Sequence, residues 1–411
     1  MPLIAKPLRG LFLGLFGTFI LFGTSMTIVG AALPRILSEF HWSYTAAGAV
    51  IAASAAAYFL ASLISGKVLK SIGTKATVVI GLALGVLGLA FFAASPSFWA
   101  NLLLNALIGA GQGLIEPSVN WSALRMDEDD SGRAMNLMHG AFAIGAVAGP
   151  LILGLLMATG LSWTLLFRAI AILFAILGFA LAVMPFSRLG SIKPGSEGGG
   201  ANSASGRGPR RLRGPAYYLG FICLLLYVGA ELGISNWIAE YFVRIFAADP
   251  ATASLTVSLF WIGLLAGRFG VPALYRGKRQ EAVLVASSLL LVAATVTLCA
   301  IGFAAGGDAA HGESLWVPAI FTFLAGLGCS IIYPTVISLV GISYEKAQAD
   351  ALSFAIAGGG VGLFAFPFLM SWISQGYGIR VGFASYALIA VLTALSCAVL
   401  AKVFASSRKA A

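Results

Sequence analysis

Asn105, Gly109, Gln112, Glu116 and Asn120 recur at intervals of three or four residues, so a helix carries them as one stripe. The stretch around them reads Leu107-Ile-Gly-Ala-Gly-Gln-Gly-Leu-Ile-Glu-Pro-Ser-Val-Asn120. A carboxyl at Glu116 can take up and release a proton, while the flanking amides can hydrogen-bond hydroxyls. Gly109, Gly111 and Gly113 let a second helix approach closely, and Pro117 withdraws a backbone donor beside the acid. Such a stripe is expected to face a protein interior or a watery cavity and not lipid.

The surroundings are oily. Of 411 residues, 59% are hydrophobic and 10% charged, with a mean hydropathy of +0.96. Soluble domains carry about 25% charged residues, so this composition indicates an integral membrane protein. Apolar stretches long enough to cross a bilayer are expected near 9–33, 44–65, 75–94, 97–121, 133–158, 162–184, 215–243, 251–275, 281–303, 315–342, 347–374 and 379–404. The first of these is too long for a signal-peptide core and lacks a small-residue cleavage site, so it is expected to be retained. The predicted fold is therefore all-α, with twelve transmembrane helices in two pseudo-symmetric six-helix bundles. The expected domains are 1–184, a Gly/Ser/Pro/Arg-rich cytoplasmic linker at 185–214, and 215–411.

Basic residues orient the chain. With both termini placed in the cytoplasm, twenty of the 25 Lys and Arg fall inside, and only Arg35, Arg244 and Arg380 fall outside. That placement accounts for the net charge of +10 without a nucleic-acid partner. The expected location is a plasma or inner membrane, multi-pass and bacterial.

The two halves look duplicated. Gly109, Gly111, Pro117 and Val119 recur 217 residues later as Gly326, Gly328, Pro334 and Val336, and the same offset carries Gly145 to Gly362 and Pro150 to Pro367. Duplication is the mark of transporters whose site lies between repeats. Glu116 becomes Tyr333 in the second half, so the repeat does not need the acid in order to fold.

Only Glu116 and Glu231 among the acids lie well inside predicted spans, and Glu240 lies near an outer end. A charge at mid-bilayer costs about 2.5–3.5 kcal/mol on insertion scales, so each acid must face inward, be paired or be neutral. A structural pair between Glu116 and Arg125 is the plain alternative to a transport role. Asn136 and His139 are three apart on the fifth span and share a face; they either join a polar site or tie helices together. Gly145-Ala-Val-Ala-Gly-Pro150 reads as a close-packing surface. Trp121, Trp237 and Trp261 are candidates for stacking on a sugar ring, with Gln112, Asn120, Asn136 and Asn236 taking its hydroxyls. Trp42, Trp99, Trp163, Trp316 and Trp372 sit at span ends, where interfacial belts place them. Arg168 is expected to reach toward the interface, and Arg268 to anchor or gate the cytoplasmic end. The run Asp127-Glu-Asp-Asp130 is a solvated loop or a salt-bridge partner for Arg125 or Arg133. The four cysteines are scattered as small hydrophobes, and no metal, cofactor or hydrolase motif is present.

These features resemble the major facilitator superfamily over nearly the whole chain. Gly66-Lys-Val-Leu-Lys-Ser-Ile-Gly-Thr-Lys75 is similar to that family's loop motif, but Lys70 stands where an Asp is usual, and Asn105 replaces a frequent Arg. Within the superfamily, Leu114-Ile-Glu-Pro-Ser-Val-Asn120, Asn136-x-x-His139, Tyr227-Val-Gly-Ala-Glu231 and Phe260-Trp-Ile-Gly-Leu-Leu-Ala-Gly-Arg268 resemble the fucose permease and glucose/mannose–proton symporter group. The span-one Asp of the fucose permease is missing from Gly23-Thr-Ser-Met-Thr-Ile28. The resemblance implies alternating access with no enzyme activity and no cofactor, and a monomer in the bilayer. It further implies transport of a monosaccharide or polyol in symport with a proton, or with sodium in its place. Substrate contacts are then expected from Gln112, Glu116, Asn120, Asn136, His139, Glu231, Asn236, Trp261 and Tyr333. Glu116 and Glu231 would couple protons, and Lys70, Arg133 and Arg268 would gate. A proton-driven exporter of amphipathic drugs or lipids is the alternative, and a ligand sensor that moves nothing is a third.

Overall fold

The computed structural model describes residues 4–126, 133–189, 214–275, 279–305, 315–344 and 347–410. Among them every regular element is helical. The long helices are α1 (Arg9–Phe40), α2 (Tyr44–Phe91), α3 (Phe98–Met126), α4 (Arg133–Ala158), α5 (Thr164–Val183), α6 (Pro215–Phe246), α7 (Pro250–Leu274), α8 (Gln280–Ala304), α9 (Trp316–Cys329), α10 (Ile332–Ser343), α11 (Gln348–Tyr377) and α12 (Ile379–Ala410).

Among the described residues, eleven helical segments are long and apolar enough to cross a membrane. One of them, α2, has 48 residues, more than twice the roughly 20 that one crossing needs, so it supplies two spans and the total is twelve. The loop expected at 66–75 is instead helical, broken only at Gly73, where φ 80° and ψ 163° turn the chain. Glycine adopts that conformation without a Cβ penalty. Conversely, α9 and α10 are one span interrupted in the middle. Pro334 has no N–H to return to the carbonyl of Ser330, so the ladder fails at that turn.

The chain divides into two compact units: Met1–Val29 with Ala49–Asn202, and Gly30–Gly48 with Ser203–Ala411. In the first, Gly145 of α4 lies against α1 so closely that a Cβ would sit 1.8 Å from the Ile20 carbonyl oxygen. Gly109 of α3 lies against α2 in the same way, with a Cβ 2.0 Å from the Ser54 carbonyl oxygen. Thr24 Oγ1 reinforces the first crossing by donating to the Gly145 carbonyl at 3.2 Å. Inside the second unit, a Cβ on Gly362 of α11 would fall 2.0 Å from the Leu225 carbonyl oxygen of α6, and one on Gly326 of α9 would fall 1.9 Å from the Phe260 carbonyl oxygen of α7. The glycines that recur at the constant offset thus make corresponding contacts in each unit. Small residues permit this approach, and dispersion and Cα–H···O contacts supply the attraction in lipid.

Apolar side chains populate the outside, as lipid immersion demands: Phe179 is 76% exposed, Trp316 78% and Trp99 75%. One span-end residue differs from expectation. Trp163 is buried, its ring edge-on to Phe167 at 5.4 Å, so it is core and not belt. Arg168 is half-buried, and its Nη1 donates to the Leu89 carbonyl at 2.7 Å, satisfying the C-terminal end of α2. All four cysteines are buried free thiols.

Gly145→Val should lower thermal stability in detergent by on the order of 3 kcal/mol, because backbone carbonyl and not a movable side chain blocks the new Cβ. Gly140→Ala, whose Cβ would meet nothing within 4 Å, should leave the melting temperature unchanged or slightly raised.

Candidate functional site

In the first unit the polar stripe of α3 is divided among several partners. Asn105 is buried and donates Nδ2–H to the Val50 carbonyl of α2 at 2.9 Å. Gln112, also buried, donates Nε2–H to Ser25 Oγ of α1 at 2.9 Å. Those two amides therefore tie α3 to its neighbours. Glu116 is half-buried, and its Oε2 accepts a hydrogen bond from the Tyr58 phenol of α2. Asn120 is half-buried, with an Oδ1 that has no hydrogen-bond partner among the described residues.

Arg125 does not pair with Glu116. Its guanidinium lies 5.3 Å from the centre of the Trp121 ring, a cation–π arrangement one helical turn along. Trp121 is thereby engaged by a cation on its own helix. Asn136 and His139 are exposed on α4, and the imidazole stands edge-on to Phe19 of α1 with centroids 6.2 Å apart. Lys70 is exposed on α2. Arg133 opens α4, but its side chain and the acidic run 127–130 lie outside the described residues.

The second unit gathers a different group. Glu231 of α6 is only 7% exposed, and Arg268 of α7 is the cation whose charge bears on it. Tyr227, one turn earlier on α6, and Cys329 at the end of α9 lie within electrostatic reach of both. Nε of Arg268 is buried and has no hydrogen-bond partner among the described residues. The Tyr333 ring stands 6.3 Å from that of Tyr227. Trp261 is buried and fixed by an Nε1–H bond to Ser235 Oγ at 2.8 Å. Asn236 is half-buried, and its backbone would lie 2.7 Å from a Cβ at Gly30, so it serves a close helix crossing.

The predicted residues thus fall into two groups: Gln112, Glu116 and Asn120 in one unit, and Glu231, Trp261, Arg268 and Tyr333 in the other. Tyr58, Ser25 and Ser235 were not singled out from the sequence. Tyr58 is one hydroxyl in an apolar run, Ser25 is one of several hydroxyls in Thr24-Ser-Met-Thr27, and Ser235 stands beside the more conspicuous Asn236, so composition did not mark them. Neither group includes a cluster of metal-ligating side chains among the described residues.

Chemically, the arrangement places two acids on membrane-crossing helices with different partners. A neutral phenol holds one; a guanidinium and a phenol stand beside the other. The first carboxyl faces a neutral donor, while the second lies in a buried cluster that also holds a cation.

Comparison with known proteins identifies the class. Residues 15–307 match the Major Facilitator Superfamily, and the chain belongs to that family. It is a multi-pass membrane transporter and not an enzyme. A Saccharomyces cerevisiae relative described as bypass of stop codon protein 6 is 24% identical over 397 residues, covering 88% of this chain and 76% of its own. A glucose/galactose transporter of Brucella abortus is 26% identical over 387 residues, covering 89% and 88%. Among solved structures, a D-xylose-proton symporter superposes with a TM-score of 0.71 at 14% identity, covering 95% of this chain and 97% of that one. The sugar transporters are thus full-length relatives by sequence, and the symporter shares the fold.

Replacing Arg268 by Gln removes the charge that faces a buried carboxylate. It should destabilise the protein, and Glu231→Gln in the same chain should restore much of the loss. A double-mutant cycle on detergent unfolding is expected to report a coupling on the order of 1–3 kcal/mol. Additive effects would mean that the two charges do not act on each other.

Proposed function

We propose that this protein is a secondary active transporter that carries a monosaccharide by proton-coupled symport with alternating access. The observation that carries the reading is Glu116. An acid on a membrane-crossing helix is expensive to retain, and its partner here is the phenol of Tyr58; among the described residues no cation forms an ion pair with it. The name of the Brucella abortus relative, aligned over nearly its whole length, supports a hexose as cargo.

In this reading protonated Glu116 favours substrate occupation, and release of the proton toward the cytoplasm follows release of the sugar. Asn120, Asn136, His139 and Asn236 supply hydrogen bonds to hydroxyls, Trp261 and Tyr333 supply ring faces, and the Glu231–Arg268 pair sets the charge of the second group. Lys70 and Arg133 act at the cytoplasmic gate. The membrane potential contributes about 2.3 kcal/mol per charge per 100 mV to accumulation. The protein functions as a monomer in a bacterial inner membrane with both termini in the cytoplasm. Its bundles are 1–184 and 215–411, and 185–214 tethers them.

The test is pH-jump uptake in liposomes with labelled glucose, galactose, mannose and fucose, alongside a cationic dye and a lipid. Proton-dependent uptake of a sugar is expected, with no movement of dye or lipid. Glu116→Gln should abolish accumulation against a gradient while counterflow of pre-loaded sugar continues. Uphill uptake by that variant at the parental rate would remove Glu116 from the coupling step. Transport of dye or lipid alone would replace symport with export of amphipathic compounds, and sodium-dependent uptake at constant pH would replace the proton.

A further inference from the structure

Glu240 is the third intramembrane acid, and the reading above does not use it. It lies near the end of α6 that the asymmetry of basic residues assigns to the outside. The residue is fully buried, yet it is well connected on one side only. Its Oε1 accepts from Arg244 Nε at 2.8 Å and from the Tyr44 phenol at 3.1 Å. Its Oε2 is buried and has no hydrogen-bond partner among the described residues. Arg244 itself is half exposed, its side chain 52% accessible.

Tyr44 opens α2, within the segment Gly30–Gly48 that runs from the last turns of α1 to the first turn of α2 and forms part of the second unit. The fastening of that segment is continuous around Glu240. The Tyr44 backbone N–H donates to Gln375 Oε1 of α11 at 2.9 Å. Its ring stands edge-on to buried Trp237, one turn before Glu240, at 5.8 Å. Gly48 lies against Ser371 of α11 so tightly that a Cβ would fall 1.9 Å from its hydroxyl, and Gly30 lies against the backbone of Asn236. The steric contacts involve no charged group. The bonds to Glu240 depend on its charge.

We propose that Glu240 is a further proton-binding site, and that its protonation unfastens the Gly30–Gly48 segment from α6 and α11. The proton would occupy Oε2, the oxygen left without a partner. The ionised carboxylate receives two hydrogen bonds, one of them from a cation; the neutral acid keeps the geometry but loses the Coulombic attraction to Arg244 and weakens as an acceptor for Tyr44. The titratable groups that bear on it are Arg244 of its own helix and Tyr44 from the facing segment. Acid on the outer side therefore loosens the catch, and neutral pH secures it. The device stands independently of Glu116, because it concerns the fastening of one segment and not the carriage of a substrate.

The experiment follows the exposure of Ser371, which is fully buried under Gly48. Ser371→Cys is reacted in proteoliposomes with a membrane-impermeant cationic methanethiosulfonate, against the background of the four buried native thiols. At pH 7.5, adding Glu240→Gln should raise the labelling rate about tenfold, and adding Tyr44→Phe should raise it in the same direction by less. The ratio of the Glu240→Gln rate to the parent rate should fall toward one as the pH is lowered to 5.5; taking a ratio cancels the reagent's own pH dependence. Equal rates for parent and Glu240→Gln at both pH values would overturn the proposal, as would a ratio that does not change with pH. Should Glu240→Gln not fold, an unchanged rate in Tyr44→Phe at pH 7.5 overturns it instead. No sugar is present, so loss of coupling at Glu116 and failure of this catch are read out separately.

Discussion

An ionisable group inside a bilayer has to be satisfied by protein, since lipid offers it nothing. The three intramembrane acids of this transporter meet that demand in three ways. Glu116 takes a neutral hydroxyl from the adjacent helix, Glu231 lies beside a cation and a phenol, and Glu240 shares one oxygen between an arginine and a tyrosine. Protonating a carboxyl held by a neutral donor leaves no cation without its counter-charge, whereas protonating one set against a guanidinium removes an attraction that had helped to fasten its surroundings.

The duplication sharpens the point. Corresponding glycines set corresponding helix crossings, Gly109 with Gly326 and Gly145 with Gly362, so the scaffold is common to both repeats. The polar chemistry is not. Glu116 stands where the second repeat has Tyr333, and the Glu231–Arg268 cluster lies on α6 and α7, whereas the charges of α1 are confined to Arg9, Arg35 and Glu39 toward its ends and α2 carries none before Lys67. Packing that both repeats require persisted in both, and chemistry that a transport cycle needs once resides in one.

Several side chains that look like substrate ligands in a linear reading are occupied in the folded chain. Gln112 bonds Ser25, Trp261 bonds Ser235, and Asn236 lies under Gly30. A polar residue in a membrane helix has few partners to choose from, so the same amide that could hold a sugar also serves to tie two helices. Residue type alone does not separate these roles.

Much of the architecture was legible from the chain itself. Apolar runs of about twenty residues, the constant offset of 217 between matching Gly and Pro, and the acids inside those runs all depend on local composition, which bilayer thickness and helical period convert directly into spans. Two local details were not legible: the turn between the second and third spans is narrowed to Gly73, with helix on both sides of it, and the span at 316–343 is interrupted ahead of Pro334. Only the tertiary structure decided the partners: Tyr58 for Glu116, Arg268 for Glu231, and Tyr44 for Glu240. Each pairing joins residues on different helices, and it turns on how far each helix is rotated and how deep it sits beside its neighbour. No short-range pattern in the sequence encodes those two quantities; the packing of the glycine surfaces sets them.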